Sequence, residues 1–195
     1  MFFVSIKKID PVKEYSPLVV TLWYRAPELL FGENKYTVAI DMWSVGCIFA
    51  ELMTNKVLLS GDGEINQTIK IFKLLGTPNE KIWPGFSELP YIKNFKLKPQ
   101  PYSNLRNQFP KITDKNFDLL NRMLTYDPSK RISAANSLQH KYFQENPRAK
   151  DAALMPSWPS GNEGKPRKAK KDSDKWRNQP SVFAASEPID YSQYL

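Results

Sequence analysis

From Val38 to Met53 the hydrophobic positions are dense, interrupted by Asp41, Ser44 and Glu51, and residues 36–54 predict a helix. A helix that is apolar nearly all the way round belongs at the centre of a larger helical body. Residues 64–75 follow a different rhythm. Apolar groups at Ile65, Ile69, Phe72 and Leu75 mark one face of a second helix, which Gly76-Thr77-Pro78 should stop. Residues 113–125 predict a third helix, capped by Thr113 or Asp114, with Phe117, Leu120, Met123 and Leu124 on one side. A fourth starts at Ser133 and is expected to reach about Tyr142. Upstream, Asp10-Pro11, Ser16-Pro17 and Ala26-Pro27 punctuate the chain too often for long regular structure. Only a short helical turn around Glu28-Leu29-Leu30-Phe31, closed by Gly32, fits there. The 76–112 stretch carries six prolines between aromatics, so it reads as an ordered but irregular insert. The expected fold class is mainly α, with no convincing strand pair.

Composition narrows the chemistry. The 195 residues suffice for one packed domain and a tail. Formal net charge is +8, of which +5 falls before residue 146 and +3 after it. We read this as a solubility feature rather than a nucleic-acid site. One cysteine, Cys47, cannot form an internal disulfide, so a reducing compartment is expected. One histidine, His140, is too small an inventory for a zinc site or a Cys–His catalytic pair. These two, with Trp43 and Phe49, are expected in the core. The apolar run from Val38 to Met53 is shorter than the ~20 residues of a membrane span, and residues 1–6 lack the basic lead of a signal peptide.

Four motifs then stand in order. Thr21-Leu22-Trp23-Tyr24-Arg25-Ala26-Pro27-Glu28 resembles the end of the activation segment in cyclin-dependent protein kinases. Asp41-Met42-Trp43-Ser44-Val45-Gly46-Cys47-Ile48 resembles that family's central large-lobe helix. Leu75-Gly76-Thr77-Pro78 with Trp83-Pro84 is similar to its insert, and Asp127-Pro128-Ser129-Lys130-Arg131-Ile132-Ser133 to the turn before its last helix. Within the family the PITSLRE type is nearest, on Lys81-Ile82-Trp83-Pro84-Gly85, Ser87-Glu88-Leu89-Pro90 and Met155-Pro156-Ser157-Trp158-Pro159. The resemblance implies the C-terminal lobe of the protein-kinase fold, with the small lobe and catalytic loop absent from this sequence. The expected organisation is a non-family segment at 1–10, a partial kinase domain at 11–145, and a basic, disordered tail at 146–195.

Phosphoryl transfer in such kinases needs a glycine-rich loop, a strand lysine, a His-Arg-Asp loop and an Asp-Phe-Gly magnesium ligand. No three glycines here fit the loop, His140 is the only histidine, and Asp-Phe-Gly does not occur. The family uses ATP and magnesium; for this chain the expectation is no cofactor, no metal, no catalytic residue, and inactivity alone.

The resemblance also assigns roles to residues that are present. Ser16 matches the activation-loop phosphosite, although an ordinary Ser-Pro loop element is an equal reading. Val19, Val20, Thr21, Leu22, Trp23 and Arg25 match the substrate-binding strip. In the family, an arginine matching Arg25 holds the valine matching Val20 with its carbonyl turned from the substrate. A substrate N–H there stays unpaired, at about 1–3 kcal/mol. Proline has no N–H to lose, so Ser/Thr-Pro substrates are implied. Thr21 would meet a catalytic aspartate and lysine that this sequence lacks. Glu28 and Arg131 match a buried structural ion pair. Asp41 matches the anchor of the catalytic loop; without that loop, a helix-end aspartate facing water becomes the stronger reading.

Three readings stay open: the large-lobe remainder of a proline-directed Ser/Thr kinase, a non-catalytic binding module or decoy, and a truncated product. Implied partners are a cyclin and Ser/Thr-Pro proteins, with no membrane and no nucleic acid. The Lys165–Lys171 cluster favours a nuclear over a cytoplasmic location.

Overall fold

A computed structural model describes residues 21–92, 95–96, 100–155 and 189–190. Ser16, Val19, Val20 and the Lys165–Lys171 cluster lie outside the described residues. A single-turn helix α1 (Pro27–Leu30) leads into the central helix α2 (Ala39–Thr54) and then α3 (Glu64–Leu75). The insert contributes a short 3-10 turn and α4 (Leu105–Gln108), and α5 (Asp114–Met123) and α6 (Ala134–Leu138) complete the body. One two-residue parallel pair joins β1 (Phe95–Lys96) to β2 (Ile189–Asp190), too short to alter the mainly α class.

The α2 helix starts at Ala39 rather than residue 36, because Thr37 and Val38 turn the chain first: Asp41 N–H reaches the Val38 carbonyl at 3.1 Å. Its buried face is Ile40, Met42, Trp43, Gly46, Cys47 and Ala50. At Gly46 it crosses α5 so closely that a Cβ would stand 2.9 Å from the Met123 Cβ. Thr113 is the cap of α5, its hydroxyl accepting from the Asn116 N–H at 3.2 Å. Where one long helix was expected after Ser133, α6 ends at Leu138 and a 3-10 turn (Lys141–Gln144) follows. His140 divides them: its Nδ1 accepts the Tyr142 N–H at 3.2 Å, and its Nε2 meets Asp118 at 3.0 Å. Its side chain is 11% exposed, packed inward with both ring nitrogens engaged in hydrogen bonds.

The insert is anchored by rings. Trp83 lies 5.5 Å from Phe86 and stacks on Tyr126 at 6.0 Å, while Phe31 touches Phe72, Trp83 and Phe86. Such pairs exceed their area burial by about 0.5–1.5 kcal/mol each, which explains how a proline-rich stretch holds one conformation. Burial pushes the Tyr126 hydroxyl well above its ordinary pKa, and it donates to the Gly76 carbonyl at 2.7 Å. Tyr102, in the same stretch, is exposed.

Candidate functional site

The described part of the strip expected to bind substrate is a single 3-10 turn. Leu22–Tyr24 is closed by Tyr24 N–H to the Thr21 carbonyl (3.0 Å) and Arg25 N–H to the Leu22 carbonyl (3.2 Å). The chain then extends through Ala26 (ψ 150°), as a residue before proline must, and Pro27 opens α1 at a position where its missing N–H costs nothing. Thr21 is exposed, Leu22 half-buried against the core, and Trp23 39% exposed. Arg25 is buried.

Two sets of bonds hold this turn. On the inner side, Ser44 of α2 donates its hydroxyl to the Tyr24 carbonyl at 2.8 Å, and the Tyr24 hydroxyl reaches Glu51 Oε2 at 3.2 Å. Burial first, then the Glu51 carboxylate, raises the Tyr24 hydroxyl above its usual pKa. On the outer side the bonds run to the start of α3. Trp23 Nε1–H donates to the Gly61 carbonyl (2.7 Å), Gly61 N–H donates to Gln67 Oε1 (2.8 Å), and Gln67 Nε2–H donates to the Trp23 carbonyl (3.2 Å). These three bonds close a ring. Beside it, Arg25 Nη1 meets Glu64 Oε1 at 2.7 Å, a short charge-assisted contact.

Gly61, Glu64 and Gln67 were not read from the sequence as part of this strip. A signal existed. The buried face of α3 is Gln67, Thr68, Ile69, Ile71, Phe72 and Leu74, rotated from the expected 65, 69, 72 and 75. A fully buried glutamine on that face requires partners, and Trp23 and Gly61 supply them. Gly61 has no room for a side chain, since an added Cβ would stand 2.7 Å from the Gln67 backbone.

Behind the strip, Glu28 and Arg131 form a two-pronged pair, Nη1–Oε1 2.7 Å and Nη2–Oε2 2.8 Å. Arg131 also donates to the carbonyls of Thr125 (2.9 Å), Ala39 (2.8 Å) and Tyr126 (3.1 Å) and lies over the Trp43 ring. All five of its N–H donors are therefore used. The preceding turn is fixed by Asp127, which accepts from the Ser129 N–H (2.9 Å) and hydroxyl (2.6 Å). Burial would raise the Asp127 carboxyl, but the Ser129 bonds and Lys130 hold it below the usual range. Asp41 sits in the first turn of α2, exposed, with no side-chain partner among the described residues. Partial burial raises its carboxyl although the residue as a whole is exposed. A carboxylate in that first turn is favoured by the helix dipole, in line with the helix-end reading.

A cleft of about 690 Å³ lies beside Glu28, between residues 32–37, 83–90 and 127–129. No described residue of the strip lines it. Among the described residues no group of three or more His, Cys, Asp or Glu is placed to hold a metal, and none of their helices is long and apolar enough to cross a membrane.

A family model for the protein kinase domain matches residues 3–143. Cyclin-dependent kinase 11 of Dictyostelium discoideum is 58% identical over 153 residues, covering 78% of this chain and 43% of that protein. Cyclin-dependent kinase 11B of Homo sapiens is 55% identical over 155 residues, 79% of this chain and 20% of that protein. Probable cyclin-dependent kinase 10 of Dictyostelium discoideum is 47% identical over 169 residues, with 86% and 46% covered. The chain thus spans less than half the length of these relatives.

Proposed function

The chain belongs to the protein kinase domain family, in the large lobe of a cyclin-dependent kinase of the PITSLRE kind, and from that premise we propose that it is the substrate-selecting part of a proline-directed Ser/Thr kinase. One observation carries this reading. The Thr21–Arg25 turn is bonded from both sides, by Ser44 and Glu51 within and by Gly61, Glu64 and Gln67 without. A strip that must discriminate between substrates has to be held in one conformation before they arrive, because ordering it on binding costs affinity. The role of the strip, including Val19 and Val20, is taken from the family resemblance.

The residues present do not fit ATP or magnesium. The sequence holds no glycine-rich loop, His-Arg-Asp or Asp-Phe-Gly, and the described acids are tied up in structure or scattered. The chain by itself therefore binds without transferring phosphate, in the manner of a docking surface or decoy. Ser16 is its phosphorylatable Ser-Pro element, a cyclin and Ser/Thr-Pro proteins are its partners, and the nucleus is its place of action.

The test is peptide binding. Two fluorescent peptides, identical but for proline or alanine after the phosphoacceptor serine, are titrated with the full chain. The unpaired N–H of alanine is worth about 1–3 kcal/mol, so the proline peptide is expected to bind about tenfold more tightly. Equal binding sinks the proposal. ATP hydrolysis by the pure chain would overturn its catalytic silence.

A further inference from the structure

We propose that Ser60 is a phosphorylation site and that Lys70 receives its phosphate, holding the loop that supports the Trp23 turn. Ser60 stands exposed in the link between α2 and α3, outside any helix or strand. Its hydroxyl accepts from Lys70 Nζ at 3.2 Å, and the same ammonium donates to the Ser60 carbonyl at 2.5 Å. Lys70 belongs to none of the ion pairs among the described residues. A cation held against a serine, with no carboxylate of its own, gives a phosphate on that serine charge-assisted bonds at once. The inference does not depend on the proline-directed reading.

Other exposed hydroxyls are committed to the fold. Ser129 donates to Asp127, Thr37 accepts the Ala39 N–H at 3.3 Å, and Thr113 and Ser133 cap helices. A phosphate on any of these would disturb its bond. Ser60 closes no turn or cap among the described residues. Asp62 lies exposed two residues on, which suits an enzyme that reads acids after its acceptor; Glu64, two further on, is engaged with Arg25. Asp62 opposes the added charge, and Lys70 offsets it. A separate protein kinase and a nucleoside triphosphate supply the transfer. Ser60 Oγ bonds to the γ-phosphorus, the bond to the diphosphate breaks, and the hydroxyl proton passes to that enzyme. Gly61 follows directly, its carbonyl accepting the Trp23 indole and its N–H donating to Gln67. A phosphate drawn onto Lys70 pins the residue before Gly61 to α3, so the ring beside it opens less often.

The full chain is incubated with a purified acid-directed serine kinase, ATP and magnesium, and the tryptic peptide 57–70 is sequenced by mass spectrometry. Its only hydroxyl side chains are Ser60 and Thr68, and Thr68 is buried. Phosphate on Ser60, abolished by Ser60→Ala, is the expected result. An unmodified peptide, or one that keeps its phosphate in Ser60→Ala, overturns the site. The pairing with Lys70 is then read on the phosphorylated chain by phosphorus NMR, where the second ionisation of a phosphoserine ordinarily falls at about pH 6. Lys70→Gln should raise that midpoint by about half a unit and speed hydrogen exchange at the Gly61 amide about threefold, and Lys70→Arg should restore both. Equal midpoints in wild type and Lys70→Gln overturn the role of Lys70. If Lys70→Gln does not fold, wild type decides: exchange at Gly61 that phosphorylation fails to slow overturns the pinning of the loop.

Discussion

Arg131 and Glu28 meet with their side chains 0% and 2% exposed, whereas Arg25 and Glu64, equally close at 2.7 Å, keep 10% and 14%. The chemistry is the same and the settings differ. Arg131 spends every N–H on a carboxylate or a backbone carbonyl and faces the Trp43 ring, so its desolvation is answered donor by donor. It links α1 to the turn before α6 across 103 residues of sequence. Arg25 links a surface turn to the end of a helix. The first pair holds the body together and the second sets the shape of a surface. Mutations that separate these two tasks give the sharpest tests.

The largest effect is expected from Arg131→Ala. It strands Glu28 in a sealed site and removes donors from three carbonyls, which costs about 3–5 kcal/mol. Against a typical domain stability of about 5–15 kcal/mol, that moves the urea midpoint far down or leaves the chain unfolded. A midpoint within experimental error of wild type would mean that the pair does not hold the body.

Next comes Gly61→Ala. The new methyl meets both the Gln67 Oε1, a member of the ring, at 2.5 Å and the Gln67 backbone at 2.7 Å, so the ring between Trp23 and α3 must open. Strain of this kind costs about 1–3 kcal/mol. Because Trp23 donates to the Gly61 carbonyl, its fluorescence should change with the mutation, and thermal unfolding should begin earlier. Glu64→Ala should cost less, about 1 kcal/mol, as expected for a partly shielded pair at a surface. If Glu64→Ala proved as damaging as Arg131→Ala, the contrast between the two pairs would fail.

How much of this was legible depended on the range of the cause. Helices α2, α3 and α5 were written in periodicity and caps, which are local: Thr113 and Ser133 do cap, each accepting an N–H three residues on. The partners of Arg131 and Trp23 were not local. The Glu28–Arg131 pair was read only because both residues sit in a resembling motif, and Gly61, Glu64 and Gln67 lay between motifs and were missed. The face of α3 was misplaced because a count of apolar positions has no place for a buried glutamine, yet Gln67 sits at its centre. The last helix is shorter than expected because His140 starts a new turn, and Leu138 at its end faces water.

Cys47 offers a probe that separates body from surface. Burial pushes its thiol far above the ordinary range, with the Glu51 carboxylate adding to the shift and Arg131 opposing it. Only a thiolate attacks a disulfide reagent readily, so native chain at pH 8 should not be labelled until denaturant opens the body. Gly61→Ala and Glu64→Ala should leave that protection intact, and Arg131→Ala should abolish it. Rapid labelling of native wild type would contradict the packing of α2.

The smallest effect is electrostatic and lies away from both pairs. Arg122 holds the Asp118 carboxyl below its usual range, against a contribution from burial, and His140 assists. A carboxyl whose folded pKa is depressed stabilises fully above its unfolded value of about 4 and loses that contribution as pH falls through the folded value. Asp118 is 46% exposed, so solvent screens the interaction and the amplitude is small. Comparing thermal midpoints of wild type and Asp118→Asn from pH 6 down to pH 2.5 isolates it. The wild-type advantage should be steady at the upper end and shrink below about pH 4. An advantage that persists unchanged to the lowest pH would show that Asp118 acts through its shape, in placing His140, rather than through its charge.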